Sequence, residues 1–357
     1  MTTIHIEQKI KSLMRLVGQQ GASDLHLVVG RHPTLRIDGR LIPLSEEAIL
    51  TPTDTQDMSD VLMGEDNKKK FLADGQLDLS YNFEDKVRFR VNVFFQQGYV
   101  SVAMRLIPKD IKRLEELGLP ESLYDFTKFK QGLVLVVGPV GHGKSTTLAA
   151  LIQEINHTQE KHIITIEDPI EYIYEQDKCI INQREVYQDA KSFESALKSV
   201  FREDANVVLV GELRDFESIS IAMTGAETGH LIFATLHTND SAQTVDRIID
   251  VFPSHQQNQI RSQLANVLIG VVSQRLITKV DGGRTPAVEI MIKNHAIENL
   301  IREDKAYQID NVIETSFEQG MVSMDRSLAE LVRRGTVSLD TALSFAKEPS
   351  SFQKLLN

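Results

Sequence analysis

Residues 133–146 read Leu-Val-Leu-Val-Val-Gly-Pro-Val-Gly-His-Gly-Lys-Ser-Thr. The first five of these residues form an apolar run typical of a buried strand, and residues 145–155 are predicted to form a helix. Between them lies the pattern Gly-x-x-x-x-Gly-Lys-Ser of a phosphate-binding loop. Because the pattern follows a predicted strand and opens a predicted helix, it indicates a nucleotide-binding loop rather than a chance glycine-rich turn.

Each part of this loop has a physical role in binding a nucleotide. The glycines let backbone N–H groups approach phosphate oxygens, and the N-terminus of the following helix adds a favourable dipole. Lys144 is expected to reach the outer phosphates, and the Ser145 hydroxyl is expected to bind Mg²⁺. We therefore predict ATP and Mg²⁺ as ligands. The predicted nucleotide-binding residues are Gly138, Pro139, Val140, Gly141, His142, Gly143, Lys144, Ser145 and Thr146.

The region around the loop has the pattern of an α/β domain. Four short apolar runs are each followed by a helical pattern, which is typical of a parallel sheet whose strands are buried on both faces. The runs are residues 133–137, 163–166, 207–210 and 231–234. Beyond about residue 255 we expect mainly helices.

The N-terminal part has a different pattern and is predicted to be a smaller α+β domain. Helical spacing of apolar residues covers 5–18, and a second helical segment covers 53–73. Strand-like runs cover residues 25–29, 34–37 with a turn at Asp38-Gly39, 77–83, 87–95 and 99–106. We place the N-terminal domain at 1–112, a hinge at 113–118 and the C-terminal domain at 119–357.

The composition limits the classes of function. A chain of 357 residues fits two domains, and its 41% hydrophobic and 25% charged residues are typical of a globular protein. The longest apolar stretch, 133–137, is far shorter than the ~20 residues needed to cross a bilayer, so we expect a cytoplasmic protein. A formal net charge of −11 disfavours binding to a phosphate backbone, so no nucleic-acid partner is expected.

Two acidic residues stand at the predicted carboxyl ends of strands. A phosphate-binding-loop ATPase needs one carboxylate near Mg²⁺ and another that orients or deprotonates water. Glu167 follows the run 163–166 and is the candidate for the metal, whereas Glu212, close after 207–210, is the candidate base. Gly211 stands where many such ATPases carry an aspartate. Taken alone, Glu167 and Asp168 could form a turn with Pro169, and Glu212 could be an ordinary exposed carboxylate at a strand end.

The chain resembles the secretion and type IV pilus ATPase superfamily. The resemblance is carried by the phosphate-binding loop, an aspartate box at 165–171, a segment containing Gly-Glu at 209–215 and a histidine box at 228–238, with further similarity at 23–27 and 88–92. It implies a RecA-like ATPase domain at the C-terminus, a PAS-like domain at the N-terminus and assembly into a homo-hexameric ring.

Within this superfamily, residues 296–303 resemble the C-terminal signature of the retraction motors, although Glu298 stands where that signature usually has Arg. A single cysteine, Cys179, cannot build the tetracysteine element of the extension and type II secretion motors. The segment 202–206 departs from the family pattern at Ala205 and Asn206. The resemblance implies a motor for type IV pilus retraction and twitching motility. Its partner would be an inner-membrane platform protein, through which the motor would associate with the membrane.

Two histidines flank the apolar run 231–236 of the histidine box. His237 follows the carboxyl end of this strand, where α/β sheets bind ligands, and is a candidate sensor of the outer phosphate. His230 precedes the strand and is the less favoured catalytic candidate. A metal site formed by this pair is not expected, because their spacing is not that of metal ligands.

Arg88 and Arg90 alternate with apolar residues, so both lie on one face of a predicted strand. They can simply form a solvated face. In the family that the chain resembles, arginines of the N-terminal domain enter the nucleotide site at a domain or subunit boundary. Arg88, Arg90 and Arg105 are therefore candidates for catalysis.

Two other functions fit the same motifs. One is a nucleotide-gated accessory or regulatory subunit that hydrolyses ATP only weakly, which the departures at 202–206 and at Glu298 keep open. The other is a nucleic-acid translocase with the same type of core, which the acidic composition disfavours.

Overall fold

The structure is a computed structural model that describes residues 3–37, 39–83, 87–107 and 110–356. Contacts within the chain divide it into two compact units. The first unit comprises Met1–Asp110 together with Glu171–Ile173, and the second comprises Ile111–Ile170 and Tyr174–Asn357. Within the described ranges, no helix combines the length and the apolar character needed to span a bilayer.

The first unit is a six-stranded sheet with two helices. Its strands are β1 (Asp24–Leu27), β2 (Thr34–Ile37), β3 (Arg40–Pro43), β4 (Gln76–Phe83), β5 (Val87–Gln96) and β6 (Tyr99–Ile107). Their order across the sheet is β3-β2-β1-β6-β5-β4, and each pair of neighbours is antiparallel. The helices are α1 (Thr3–Gln19) and α2 (Pro52–Asp74). These elements confirm the helices and strands predicted here, while Asp38 of the predicted turn lies outside the described residues.

The core of this unit forms between the helices and one face of the sheet. Alternate residues of β5, such as Phe89 and Val91, are fully buried together with Leu13 of α1. Since side chains of a strand alternate between faces, the intervening Arg88 and Arg90 lie on the opposite face. The strand thus separates an apolar face from a polar one.

The second unit is an α/β domain, as predicted, built on a seven-stranded sheet. Its strands are β7 (Gly132–Val137), β8 (His162–Glu167), β9 (Ile180–Glu185), β10 (Val207–Val210), β11 (Leu231–Leu236), β12 (Leu268–Thr278) and β13 (Arg284–Ile292). The order is β13-β12-β7-β11-β10-β8-β9, and the neighbours are parallel except for β12 and β13, which are antiparallel.

Helices follow most of these strands, and several more complete the C-terminal part. They are α3 (Lys144–Thr158), α4 (Phe193–Val200), α5 (Phe216–Glu227), α6 (Ser241–Asp250), α7 (Gln257–Val267), α8 (His295–Arg302), α9 (Ile309–Thr315), α10 (Met324–Arg333), α11 (Leu339–Leu343) and α12 (Pro349–Leu356). Strands β7, β10 and β11 are completely buried between the layers. Because these strands and β8 are parallel, their carboxyl ends meet at one edge of the sheet, where ligands bind in α/β folds.

Residues after 255 are mainly helical, as predicted, but they also contain two strands that the sequence reading missed. Residues 268–278 and 284–292 form β12 and β13, and β12 pairs with β7 immediately before the phosphate-binding loop. The first seven residues of β12 are all buried, so the strand lacks the alternation of polar and apolar residues that marks a half-exposed strand. A short apolar run buried on both faces cannot be distinguished from a buried helix by periodicity.

Candidate nucleotide site

The phosphate-binding loop connects β7 to α3 and requires glycine at defined positions. Gly138 has φ 143° and Gly143 has φ 82°, values that disfavour any residue with a side chain. A Cβ at position 138 would lie 2.4 Å from the carbonyl oxygen of Gln274. The loop therefore passes close to β12, and only glycine fits there.

Lys144 begins α3 and is only 7% exposed. Its Nζ donates to the carbonyl oxygens of Gly138 at 2.8 Å and Pro139 at 3.0 Å. The same Nζ lies 3.3 Å from Nδ1 of His237. The ammonium group is thus held at the mouth of the loop, where the positive end of a helix dipole also favours phosphate.

His237 joins Lys144 to Glu212. Nε2 of His237 lies 3.1 Å from Oε1 of Glu212. Because an ammonium group can only donate hydrogen bonds, Nδ1 accepts from Lys144, and the proton of the neutral ring is then on Nε2, beside the Glu212 carboxylate. The other Glu212 oxygen accepts from Nε of Arg214 at 2.8 Å. Two predicted site residues, His237 and Glu212, therefore lie in a continuous row of polar contacts with the loop lysine.

Glu167 ends β8, next to the strand that leads to Glu212, and is 8% exposed. Its Oε1 accepts a hydrogen bond from the Thr165 hydroxyl at 2.6 Å. A Cβ at Gly211 would lie 3.3 Å from the Ile166 carbonyl oxygen, so the backbones of β8 and β10 approach too closely for a larger residue to fit without a shift. A side chain at position 211 would therefore require a small shift of the neighbouring backbone.

The residues predicted to bind Mg²⁺ have suitable chemistry. Magnesium prefers oxygen ligands, which the Ser145 hydroxyl and the Glu167 carboxylate provide. Both residues follow carboxyl ends of strands in the parallel part of the sheet, and Ser145 is partly buried at the start of α3. The two side chains therefore fit the role that the sequence predicts for them.

Sequence reasoning missed the residues of β12 that support this site. Gln274 is 2% exposed, its Nε2 donates to the His142 carbonyl oxygen at 2.8 Å, and its Oε1 accepts from the Thr147 hydroxyl at 2.7 Å. The backbone N–H of Leu276 donates to Nδ1 of His142 at 3.0 Å. Burial, with the positive charges of Arg275 and other nearby cations, lowers the pKa of His142. A neutral ring is also what a hydrogen bond accepted at Nδ1 requires.

The neighbouring residues of β12 hold the other loop of the site. Ser273 Oγ donates to the Asn239 carbonyl oxygen at 2.6 Å, and Arg275 Nη2 donates to the same oxygen at 2.9 Å. Alternate residues of a strand point to opposite faces. One strand therefore contacts the phosphate-binding loop with one face and the loop after His237 with the other.

A cavity of about 350 Å³ lies beside the loop in the second unit. Its walls combine aliphatic side chains with a few charged groups, which suits the base and ribose of a nucleotide. It is lined by Lys112, Glu116, Leu117, Leu119, Gly143, Thr146, Thr147, Gln274, Leu276, Arg284 and Pro286. Glu116 and Leu117 belong to the segment predicted as a hinge.

His230 is not brought together with the other predicted residues. It precedes β11, whereas His237 follows this strand, so the whole strand separates them. Nδ1 of His230 lies 3.1 Å from the Gly225 carbonyl oxygen, and its ring packs edge-on against Phe201 at 4.8 Å. Within this chain these contacts place His230 at the amino-terminal edge of the sheet.

The three predicted arginines lie in the first unit, whereas the phosphate-binding loop belongs to the second. Arg90 and Arg105 are direct cross-strand partners and so share a face of the sheet with Arg88. Nε of Arg105 donates to Oδ1 of Asp24 at 2.9 Å, and Nε of Arg90 lies 3.7 Å from Oδ1 of Asp78. All four of these paired residues line a cavity of about 360 Å³.

Comparisons with known proteins agree with this site. A family model described as "Type II/IV secretion system protein" matches residues 2–323. The "Type IV pilus retractation ATPase PilT" of Pseudomonas aeruginosa is 44% identical over 346 residues, 96% of this chain and 99% of that protein. A "Twitching motility protein" of Neisseria gonorrhoeae is 43% identical over 349 residues, 97% of this chain and 92% of that protein.

A solved structure extends the similarity to three dimensions. A crystal structure of the pilus retraction motor PilT with bound ADP has a TM-score of 0.91 to this chain at 43% identity. The match covers 97% of this chain and 99% of that one. The chain therefore belongs to the Type II/IV secretion system protein family and is an ATPase of that family.

Proposed function

We propose that this chain is the hexameric motor that hydrolyses ATP to power type IV pilus retraction and twitching motility. The observation that carries the proposal is the row of polar contacts from Lys144 through His237 to Glu212, which links the phosphate-binding lysine to a carboxylate. The similarity over nearly the full length to a pilus retraction ATPase supports the retraction direction.

The residues of the site have separate tasks in hydrolysis. Lys144 binds the outer phosphates together with the backbone N–H groups of the loop. Ser145 and Glu167 would hold Mg²⁺, which neutralises charge on the phosphates when it is bound. Glu212 orients the attacking water and accepts its proton, while His237, whose Nε2 lies 3.1 Å from Oε1 of Glu212, helps to hold the carboxylate in position.

We further propose the domain organisation that the family resemblance implies. The N-terminal domain, 1–112, is PAS-like, and the C-terminal domain, 119–357, is RecA-like. The segment 113–118 acts as the hinge between them. Support for this comes from the nucleotide cavity, because Glu116 and Leu117 line it and a nucleotide bound there would contact the hinge directly.

The partner proposed for the ring is an inner-membrane platform protein of the pilus. The motor is cytoplasmic, reaches the membrane only through that partner and acts without nucleic acid. The formal net charge of −11 supports the last point.

A deletion strain of the host tests the direction of force. Loss of this chain should abolish twitching motility and leave excess surface pili, because extension continues while retraction stops. Wild-type protein should restore both properties, whereas Glu212→Gln protein produced at the same level should restore neither. A deletion strain without surface pili would identify an extension motor instead, and unchanged motility would exclude both roles.

The arginines of the N-terminal domain are proposed to supply positive charge to the nucleotide site of a neighbouring subunit. Charge that acts mainly in the transition state affects turnover more than affinity. We therefore expect Arg90→Ala to reduce ATP turnover about 10³-fold, as loss of an arginine finger does, while ADP affinity and ring assembly stay normal. His230 stays a proposed catalytic residue on the resemblance of the histidine box alone, since in its own chain it lies at the opposite end of β11 from His237.

Arg40→Ala, on the exposed strand β3, is the matched control for this experiment. Mixing Arg90→Ala subunits with Lys144→Ala subunits should restore some turnover at interfaces that combine an intact loop with an intact arginine. Full turnover by both Arg90→Ala and the double variant with Arg88→Ala would show that these side chains form only a charged face of the strand and have no catalytic role.

A further inference from the structure

Lys347, in the connection between α11 and α12, is held in place through both its backbone and its side chain. Its backbone N–H donates to Oδ1 of Asp325 at 2.7 Å, and the next N–H, of Glu348, donates to Oδ2 at 3.2 Å. Its Nζ donates to Oδ2 of Asp310 at 2.6 Å and lies 3.7 Å from Oδ2 of Asp240. Lys347 thus bridges two carboxylates that are far apart in sequence.

The charges around Lys347 make this bridge more than a surface ion pair. Glu289, 3% exposed, lies nearby and accepts hydrogen bonds from the Ser241 N–H at 2.8 Å and hydroxyl at 2.7 Å. Burial lowers the pKa of Lys347, but the hydrogen bond to Asp310 and the charges of Asp240 and Glu289 outweigh it, and the pKa is raised overall. Burial raises the pKa of Glu289, while the hydrogen bonds from Ser241 and the charge of Lys347 act in the opposite direction. The ammonium group thus lies among three acidic side chains and favours their ionised forms.

One of these carboxylates belongs to the loop that carries His237. Asp240 ends that loop and caps α6, with Oδ1 accepting the Gln243 N–H at 2.8 Å while Oδ2 faces Lys347. The capping contact fixes the start of the helix, and the helix start fixes where the loop ends. A shift of Asp240 therefore moves the loop only three residues from His237, which contacts Lys144 and Glu212.

We propose that Lys347 is a positioning residue that ties the C-terminal segment, 339–356, to the His237 loop and so sets the rate of ATP hydrolysis. The inference rests on the proposed motor function and adds a means of regulating the same site. Displacement of the C-terminal segment, as when a partner binds it, withdraws the ammonium group from Asp240 and lowers turnover. A residue outside the sequence motifs of the nucleotide site thereby controls the rate of hydrolysis.

Steady-state ATPase kinetics on the full-length protein test this proposal. Lys347→Met keeps most of the side-chain stem and removes the charge. We expect kcat to fall about tenfold, the lower end of the loss in activity seen when a residue that supports a site residue is replaced. KM for ATP and the affinity for ADP should not change, since the phosphate-binding loop is untouched. Lys347→Arg should restore kcat to within about twofold, because the charge is retained. Lys354→Met, on α12, is the matched control.

The same measurement on Asp240→Asn shows whether Lys347 acts through Asp240. The asparagine retains the capping oxygen for Gln243 but loses the charge that faces Lys347. We expect a similar fall in kcat, and the double variant should be no slower than either single variant, since both changes break one contact. Additive losses, or normal kcat in Asp240→Asn, would overturn the proposal even if Lys347→Met failed to fold.

Two further outcomes separate this proposal from the one on which it rests. A Lys347→Met protein with a lowered melting temperature and normal kcat would show a purely structural role and overturn the inference alone. Wild-type protein that does not hydrolyse ATP would refute the proposed motor, and with it the inference.

Discussion

Replacement of Lys144 by alanine is expected to reduce ATP turnover by at least about 10²–10³-fold, the typical cost of removing a group that stabilises charge in the transition state. The loss should be this large because Lys144 has two functions. Its Nζ is the positive charge held at the loop by the carbonyls of Gly138 and Pro139, and it also contacts His237. Alanine removes the phosphate contact and one end of the chain that leads to Glu212.

Turnover and nucleotide affinity should be measured on the same preparation of Lys144→Ala, together with its melting temperature. Lys130→Ala is a suitable control, because Lys130 is exposed and precedes β7, at the opposite end of the strand from the loop. Normal turnover in Lys144→Ala would contradict the assignment of this loop as the nucleotide site.

Glu212→Gln is expected to retain ATP but to hydrolyse it about 10²–10⁴-fold more slowly, the range typical of general acid–base catalysis. The amide preserves the shape of the side chain but cannot accept a proton from water. One contact should also weaken. Oε2 of Glu212 accepts from Arg214 and Oε1 lies 3.1 Å from Nε2 of His237, whereas an amide has only one oxygen for these two neighbours.

Single-turnover hydrolysis and ATP affinity together distinguish the two roles that Glu212 can have. The catalytic role predicts slow hydrolysis with unchanged affinity, whereas loss of ATP binding would indicate that Glu212 mainly maintains the loop after β10. Glu217→Gln, exposed in the first turn of α5, controls for the loss of one negative charge. Wild-type turnover far above that of Glu212→Gln would also exclude a subunit that barely hydrolyses ATP.

Parts of this site that depend on local sequence were predictable. The phosphate-binding loop needs only a strand, a set of glycines and a helix in succession, and all three occur within one short stretch. Glu167 and Glu212 could be placed together because parallel strands bring their carboxyl ends to one edge of a sheet. The close approach of Gly211 to β8 could not be predicted, however, since it depends on the distance between two strands.

Contacts between distant parts of the chain were not predictable in the same way. Gln274 accepts a hydrogen bond from Thr147, which is 127 residues away in the sequence, and neither residue lies in a motif that predicts this contact. The strand that carries Gln274 was itself assigned to a helical region, because its buried run shows no alternation. Lys347 is a further example, since a lone lysine near the end of a chain usually indicates a solvated surface.

Strand β12 contacts a different loop of the site with each of its two faces, and this determines how much of the chain an active fragment must contain. The phosphate-binding loop, the aspartate box, the Gly-Glu segment and the histidine box all lie within residues 138–238, so a fragment cut after α7 would retain all four. It would nevertheless lack Ser273, Gln274 and Arg275, which hold the two loops in place. Because β12 is paired along its length with β13, the smallest fragment with an intact site extends at least to Ile292.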